Sequence, residues 1–434
     1  MASPGSSAGW IDISPAALRK LRAELELREA SVLDEMGVGA IHTGYADLFF
    51  PGTSVLHTRA RYLLFVPWIY LWLANDRRAR AERVRELKEK AELWLTGRLR
   101  DQEKVEGIIG GRVYPASPAQ PPDFAYWSAL REYRLYEGVP RAQLLARWDR
   151  ARVMLRQGVR MREDHVDQQP LGVFDVPPLP EAWMQENANV TFELEPEEAK
   201  FLRDRLAQRR PSCLLSVAAD LLGKRARPTA GALWEDPFMR RAADVFDRHH
   251  SGPDLRPVSA VAALQRADGA SALAELVRAI YAALVEALRE QDLREAGRLP
   301  LPDDHAYYRK YLRSYWEDDD GVVRRARALS LDGLKADIHL PGRLPALLAH
   351  VQARVSSIRR ASEVQARLLD DTTLELFTGV ERSRKGTRAR LPRRDGRGRR
   401  EGFGKDAVRV ADINYRWPMV SRMLRDIQEG LPDV

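Results

Sequence analysis

The sequence contains almost no cysteine and no long uninterrupted hydrophobic segment. Cys213 is the single cysteine among 434 residues, which excludes an internal disulfide and a cysteine-based zinc site and makes a reducing, cytoplasmic location the expectation. The most apolar window, Tyr62–Ala74, is shorter than the ~20 residues that a membrane-spanning helix needs, and Pro67 interrupts it. We therefore predict a buried core helix there and no contact with a membrane.

Several motifs that identify enzyme classes are also missing. Gly223-Lys224 lacks the upstream glycine of a phosphate-binding loop, and the sequence has neither an H-E-x-x-H zinc motif nor a G-x-S-x-G nucleophile elbow. Glu86-x-Lys88 resembles a nuclease motif only superficially, because it lies in a charged segment with helical periodicity. The sequence therefore predicts no metal and no cofactor.

Helical patterns dominate the chain, and hydrophobic residues make up 44% of it, which is enough for a core. A helix is predicted behind Ser14-Pro15, and further helices are predicted at 55–75, 77–98, 124–136, 140–157, 195–208, 236–249, 270–294, 303–316, 344–369 and 406–429. The best short strand candidates are Trp10–Ile13, Val190–Leu194 and Thr373–Phe377. We predict a mainly α, multi-helix globular fold with at most a small β-sheet.

Proline-rich stretches suggest how the chain is divided. The stretch Pro170–Pro180 is the best boundary. We predict an N-terminal helical domain over 1–170, a second helical region over 181–370 and a C-terminal element over 371–434.

The positive charge is concentrated in residues 382–405. This segment carries eleven basic and two acidic residues, a net charge of +9, whereas the whole chain carries +8. It has few apolar residues beyond Leu391 and Phe403, so we expect a mobile loop. Nine of its basic residues are arginines, which suit phosphate contacts. The predicted DNA-binding residues of the segment are Arg384, Lys385, Arg388, Arg390, Arg393, Arg394, Arg397, Arg399 and Arg400. A solvated basic insertion and a site for an acidic protein partner are the alternatives.

The segment from residue 37 to residue 75 is the least generic part of the sequence. Pro51-Gly52 predicts a turn, and Thr53 or Ser54 is expected to cap the following helix. Arg59 and Arg61 fall early in that helix, and a buried arginine needs a partner. Asp47 is the nearest carboxylate, followed by Asp34 and Glu35. The segment is either a structural ion-pair network or a site in which Asp47 reacts and the arginines contact phosphate.

Two clusters of aromatic residues accompany arginine. Trp127 and Tyr133 lie near Arg131, and Tyr415 and Trp417 follow the basic segment. Such residues can stack on nucleobases while arginine contacts the backbone. The alternative is that all four rings pack in the core.

Five blocks of sequence resemble an uncharacterised bacterial family. They are GWIDIS (Gly9–Ser14), ADLFFPGTS (Ala46–Ser54), TRARYLLFVPW (Thr58–Trp68), YWSALR (Tyr126–Arg131) and YRW (Tyr415–Trp417), the last followed by Asp426-Ile427. Members of this family resemble residents of phage-defence gene clusters, and some defence proteins of this general kind resemble DNA glycosylases that remove modified bases.

The resemblance implies a DNA glycosylase that excises a modified base, for example a glucosylated one, from double-stranded phage DNA. Such an enzyme flips the nucleotide out and needs one carboxylate to stabilise an oxocarbenium-like sugar. We assign this role to Asp47, with Asp12 second, and expect Arg59 and Arg61 to orient it or to bind phosphate. The alternatives are a non-catalytic DNA-binding subunit that works with other defence proteins, and a nuclease with an unrecognised site.

Overall fold

The computed structural model describes residues 34–101, 106–157, 172–185, 188–209, 212–223, 227–249, 257–298, 300–302, 304–317 and 321–432. These ranges contain eighteen α-helices and one two-stranded sheet. The prediction of a mainly α fold with a small sheet is therefore confirmed. Asp12, the helix predicted behind Ser14-Pro15 and the strand predicted at Trp10–Ile13 lie outside the described residues.

The first half of the chain contributes eight helices and both strands. The helices are α1 (Gly39–Phe49), α2 (Tyr62–Asn75), α3 (Val84–Asp101), α4 (Pro122–Glu132), α5 (Arg141–Ala146), α6 (Trp148–Gln157), α7 (Pro196–Ala207) and α8 (Leu214–Asp220). Strand β1 (Tyr136–Gly138) pairs antiparallel with β2 (Gly172–Phe174), with Tyr136 opposite Phe174. The predicted strand at Val190–Leu194 is wrong, because this stretch is irregular.

The second half contributes ten helices. They are α9 (Pro237–His249), α10 (Ala260–Glu295), α11 (Tyr307–Ser314), α12 (Val322–Ala328), α13 (Leu331–Asp337), α14 (Leu344–Ser357), α15 (Val364–Leu368), α16 (Asp371–Lys385), α17 (Arg397–Arg400) and α18 (Trp417–Gly430). The predicted strand at Thr373–Phe377 is wrong, because Asp370 accepts a hydrogen bond from Thr373 N (2.8 Å) and begins α16 instead.

Helix α10 forms the centre of the second half. It is 36 residues long and begins at Ser259, whose hydroxyl accepts a hydrogen bond from Ala262 N (3.2 Å). Buried side chains occur on all its faces, as expected of a helix that is surrounded by others. Helices α11, α12, α13, α14 and α17 pack against it. Small residues permit this close packing: a Cβ on Gly269 would lie 3.1 Å from the carbonyl oxygen of Arg325.

Helix α2 is the buried apolar helix that the sequence predicts, but it begins later than expected. Thr53 does not cap it; the Thr53 hydroxyl donates to the carbonyl oxygen of Phe50 (2.6 Å), and turns continue to Tyr62. Eleven of the fourteen residues of α2 are buried. Within the described ranges, no helix combines the length and apolarity needed to cross a bilayer.

Candidate functional site

The basic segment is folded, so the prediction of a mobile loop is wrong. Helix α16 extends to Lys385, a 3-10 turn covers Gly386–Arg388, and α17 follows at Arg397–Arg400. The buried carboxylate of Glu381 fixes the chain between them, because it accepts hydrogen bonds from the backbone N–H groups of Arg390 (3.0 Å) and Leu391 (2.8 Å). A buried carboxylate directly before the segment therefore helps to order residues whose composition alone indicates a loop.

Arg400 is an internal residue and not the phosphate ligand that we expected. Its side chain is 1% exposed. It donates to both carboxylate oxygens of Asp292 (2.8 and 3.1 Å) and to the carbonyl oxygens of Pro392 (2.9 Å) and Arg393 (2.8 Å). A guanidinium that is enclosed in this way is not available to DNA.

Acidic residues neutralise much of the remaining basic segment. The ion pairs are Arg382–Asp395, Arg384–Asp34, Lys385–Glu35, Arg390–Glu35, Arg393–Asp371, and Arg397 with Asp292 and Glu295. Arg394, Arg399 and Lys405 of the segment, and Arg409 shortly after it, are exposed and form no ion pair with a described carboxylate. We call these four residues the basic surface.

Three arginines lie along α1 and connect the basic segment with Asp47; we call Arg384, Arg278 and Arg416 the arginine row. Arg384 donates to the carbonyl oxygen of Asp34 (3.1 Å) before the start of α1. Arg278 belongs to α10, and its positive charge lowers the pKa of His42, which lies in the first half of α1. Arg416 contacts Asp47 in the last turn. Eleven helical residues span about 16 Å, so the row follows the helix over that length.

Asp47 is an accessible carboxylate held by one arginine. Its side chain is 57% exposed, and its Oδ1 accepts a hydrogen bond from Arg416 Nη1 (2.7 Å), which also donates to the carbonyl oxygen of Thr53 (2.8 Å). Asp47 Oδ2 accepts no hydrogen bond within the part of the chain that the structure describes. A carboxylate at the C-terminal end of a helix faces the negative end of the helix dipole, and Arg416 offsets this repulsion.

His42 lies one and a half turns before Asp47 and is neutral at pH 7. Burial, together with the charges of Arg416 and Arg278 and against the opposing charge of Asp47, lowers the pKa of His42 to about 4. The ring stacks on that of Tyr415 with their centroids 6.2 Å apart. His42 therefore adds no positive charge of its own beside the arginine row.

Arg59 and Arg61 do not pair with Asp47, which corrects our expectation. Arg59 Nε donates to both oxygens of Asp426 (3.0 Å each), and Arg61 Nη2 donates to Glu198 (2.9 Å). The two arginines thus attach the start of α2 to α18 and α7. They form a structural ion-pair network, the first of the two alternatives that the sequence left open. Neither side chain is more than 20% exposed, so neither is placed to bind phosphate.

The four predicted base-stacking residues are buried, and this expectation is also wrong. Trp127 is 8% exposed, Tyr133 is 2% exposed, and Tyr415 and Trp417 are fully enclosed. The rings of Trp127, Tyr415 and Trp417 contact other aromatic side chains; Trp127, for example, packs against Tyr136 with centroids 4.6 Å apart. The Tyr133 hydroxyl donates to the carbonyl oxygen of Pro51 (3.1 Å). Arg131, by contrast, is exposed.

Arg416 is the site residue that sequence reasoning missed. It and Tyr415 have left-handed backbone conformations, with φ of 65° and 50°. This conformation is uncommon for residues other than glycine, and it tends to occur where surrounding contacts define a functional geometry. The residue types Tyr and Arg do not indicate a left-handed conformation in a sequence. The contact between Arg416 and Asp47 joins residues 369 positions apart, so it could not be inferred from sequence proximity either. The only available hint is the unusual block around Trp417.

A comparison with protein families gives one match. A model described as a family of unknown function (DUF6361) matches residues 6–229, a little more than half of the chain. This region includes α1 and Asp47 but not the basic surface. No curated protein and no solved structure matches the chain.

Proposed function

Because the chain belongs to this family of unknown function, we propose its function from its exposed charges: the protein binds the phosphate backbone of DNA. The basic surface carries this proposal, since its four cations are exposed and have no acidic partner among the described residues. Cations that are not neutralised internally are the ones that release counterions when they meet phosphates. In the arginine row, Arg384 and Arg416 are already paired with Asp34 and Asp47, so the proposal rests on the basic surface.

We extend the proposal to excision of a modified base from phage DNA, with Asp47 as the reacting carboxylate. The accessible Oδ2 of Asp47 supports this role. The bond between the sugar C1′ and the base nitrogen breaks, and the base leaves with the electron pair. Asp47 stabilises the sugar cation and takes a proton from the attacking water, whose oxygen bonds to C1′. The departing base is protonated by solvent. Such a reaction fits a role in phage defence.

The test is incubation with phage DNA that carries glucosylated bases and with the unmodified DNA. We expect released base and abasic sites from the modified DNA only, and Asp47→Asn should abolish release while DNA affinity is retained. Asp332→Asn is the matched control, because Asp332 is an exposed carboxylate whose side chain is 95% accessible. Absence of release from every modified DNA contradicts the excision step.

A second candidate is a non-catalytic DNA-binding subunit of a defence system. The burial of all four predicted stacking residues favours it, because these rings are not available to hold a flipped base. The incubation with phage DNA distinguishes the two candidates: DNA binding without release of a base supports the non-catalytic subunit. Strand breakage that depends on Mg²⁺ would instead indicate a nuclease.

A further inference from the structure

A pocket of about 410 Å³ opens far from the basic segment along the chain, between α3, the proline-rich loop at 115–122 and the start of α5. Its wall on one side consists of Pro118, Pro121 and Pro122. Its polar lining includes Arg85, Lys88, Glu92 and Arg141. The volume is within the usual range for small-molecule sites. All of these residues lie inside the region that the family model matches.

A buried ionic network forms the floor of the pocket. Lys88 and Glu92 lie one turn apart on α3 and are 7% and 4% exposed. Lys88 Nζ donates to Glu92 Oε2 (2.9 Å) and lies 3.0 Å from Asp123 Oδ1. Asp123 Oδ2 accepts from Arg141 Nη1 (2.8 Å) and from the hydroxyl of Tyr70 (2.9 Å). Glu92 Oε1 accepts the backbone N–H of Asp123 (3.0 Å).

The two carboxyl groups of this network differ in ionisation. Burial raises the pKa of Glu92, the charge of Asp123 adds to the effect, and the result is a pKa of about 8. Burial also opposes ionisation of Asp123, but Lys88 and Arg141 hold its pKa below the ordinary value. At pH 7 Glu92 is therefore neutral and Asp123 is charged. Two cations then face one carboxylate, and the network carries a net charge of +1.

The cations of the pocket also keep unused hydrogen-bond donors. An ammonium has three N–H donors and a guanidinium has five. Lys88 has two acidic neighbours, and Arg141 donates to one described carboxylate. Arg85 is exposed and forms no ion pair with a carboxylate in the described ranges. Glu89 also lines the pocket, and its carboxylate accepts a hydrogen bond from the hydroxyl of Ser117. With Arg85 and Glu89 included, the charge around the pocket stays at +1.

We propose that this pocket binds a small organic oxyanion, a carboxylate or a phosphate monoester, whose charged group contacts Lys88, Arg141 and Arg85 and whose apolar part packs against the prolines. The excess positive charge selects the anion, and the proline wall selects a flat apolar body. This site is separate from the proposed DNA-binding surface and does not depend on it.

Calorimetric titration of the full chain tests the site with phenyl phosphate, benzoate, inorganic phosphate and the neutral benzyl alcohol. We expect saturable binding of phenyl phosphate, benzoate or both, with the stronger one identifying the anion class, weaker binding of inorganic phosphate, and no binding of benzyl alcohol. Arg85→Gln should weaken binding by about tenfold, the effect of losing one charge-assisted hydrogen bond.

Ala119→Trp provides a variant that leaves the buried network intact. Ala119 lines the mouth of the pocket and is exposed, so a tryptophan there fills the space from outside. It should abolish anion binding, whereas Ala116→Trp, on an exposed residue of the same loop that is not among those lining the pocket, should not. The proposal is overturned if neither organic anion binds at about 10 mM, if benzyl alcohol binds equally well, or if Ala119→Trp binds like the wild type.

Discussion

Replacing Arg400 with methionine tests whether the basic segment is part of the folded core. Arg400 is 1% exposed and donates to the carboxylate of Asp292 and to backbone carbonyl groups in residues 390–393. Methionine retains much of the apolar stem but removes the charge and every donor. Arg400→Met therefore leaves a partly buried carboxylate and several carbonyl oxygens without partners.

The expected loss of stability follows from this geometry. Removing one member of a buried ion pair costs about 3–5 kcal/mol. The Asp292 side chain is 16% exposed, so water reaches it and the lower end of that range, about 3 kcal/mol, applies. Arg400→Met combined with Asp292→Asn should lose less than the sum of the two single changes, because they disrupt the same interaction.

Urea unfolding followed by circular dichroism measures these losses. The matched control is Arg399→Met on the neighbouring exposed arginine, which should change the free energy of unfolding by no more than about 0.5 kcal/mol. If Arg400→Met and Arg399→Met changed the free energy of unfolding by equally small amounts, the reasoning would be refuted, and the basic segment would be a mobile loop as the sequence predicts.

Two further changes test other buried charges. Asp426→Asn should cost about 2 kcal/mol in urea unfolding, because Asp426 accepts from Arg59 and from Ala60 N (2.8 Å); an unchanged midpoint contradicts this. The second change concerns Glu92. Its pKa of about 8 in the native state is higher than that of an ordinary glutamate, so at pH values between these two pKa values the native state binds more protons than the unfolded state. Its contribution to stability is fully present below the ordinary pKa and is lost as pH rises through about 8. The free energy of unfolding should therefore decline with rising pH by at most about 1.4 kcal/mol per pH unit, and Glu92→Gln should reduce this decline. Identical pH dependence of the free energy of unfolding in the wild type and in Glu92→Gln contradicts the assignment.

Helices with strong local signals were predictable from the sequence. The apolar run at α2 and the first turn of α7 are examples. In α7 the side chain of Glu198 accepts from the backbone N–H of Glu195 (3.2 Å) and completes a capping box. Helix α1 was missed because glycines are poor helix formers. Gly44 occurs within it for a tertiary reason: a Cβ there would lie 2.8 Å from that of Ile338.

The candidate site was only partly predictable, because ionic partners that are distant in sequence decide it. The sequence identified Asp47 only as a candidate, which stays a prediction, and showed where the positive charge is concentrated. It did not indicate that Glu381 and Asp292 order the basic segment, or that Arg416 rather than Arg59 holds Asp47. Composition gives the charge of a segment but not which charges remain exposed after folding. The predicted domain boundaries remain a prediction.

The salt dependence of DNA binding tests most directly whether the basic surface binds the backbone. If each of the four residues of the basic surface neutralises one phosphate, log K should fall with log salt at a slope of about −3.6. Changing these four residues to glutamine should bring the slope close to zero and weaken binding by roughly a thousandfold at about 0.1 M salt.

The matched control removes four exposed arginines of the N-terminal half that form no ion pair with a described carboxylate: Arg77, Arg80, Arg112 and Arg147. Fluorescence anisotropy with a labelled duplex gives both slopes. We predict that the control retains the slope of the wild type. A basic-surface variant with the wild-type slope, or a control that loses as much as that variant, would contradict the account.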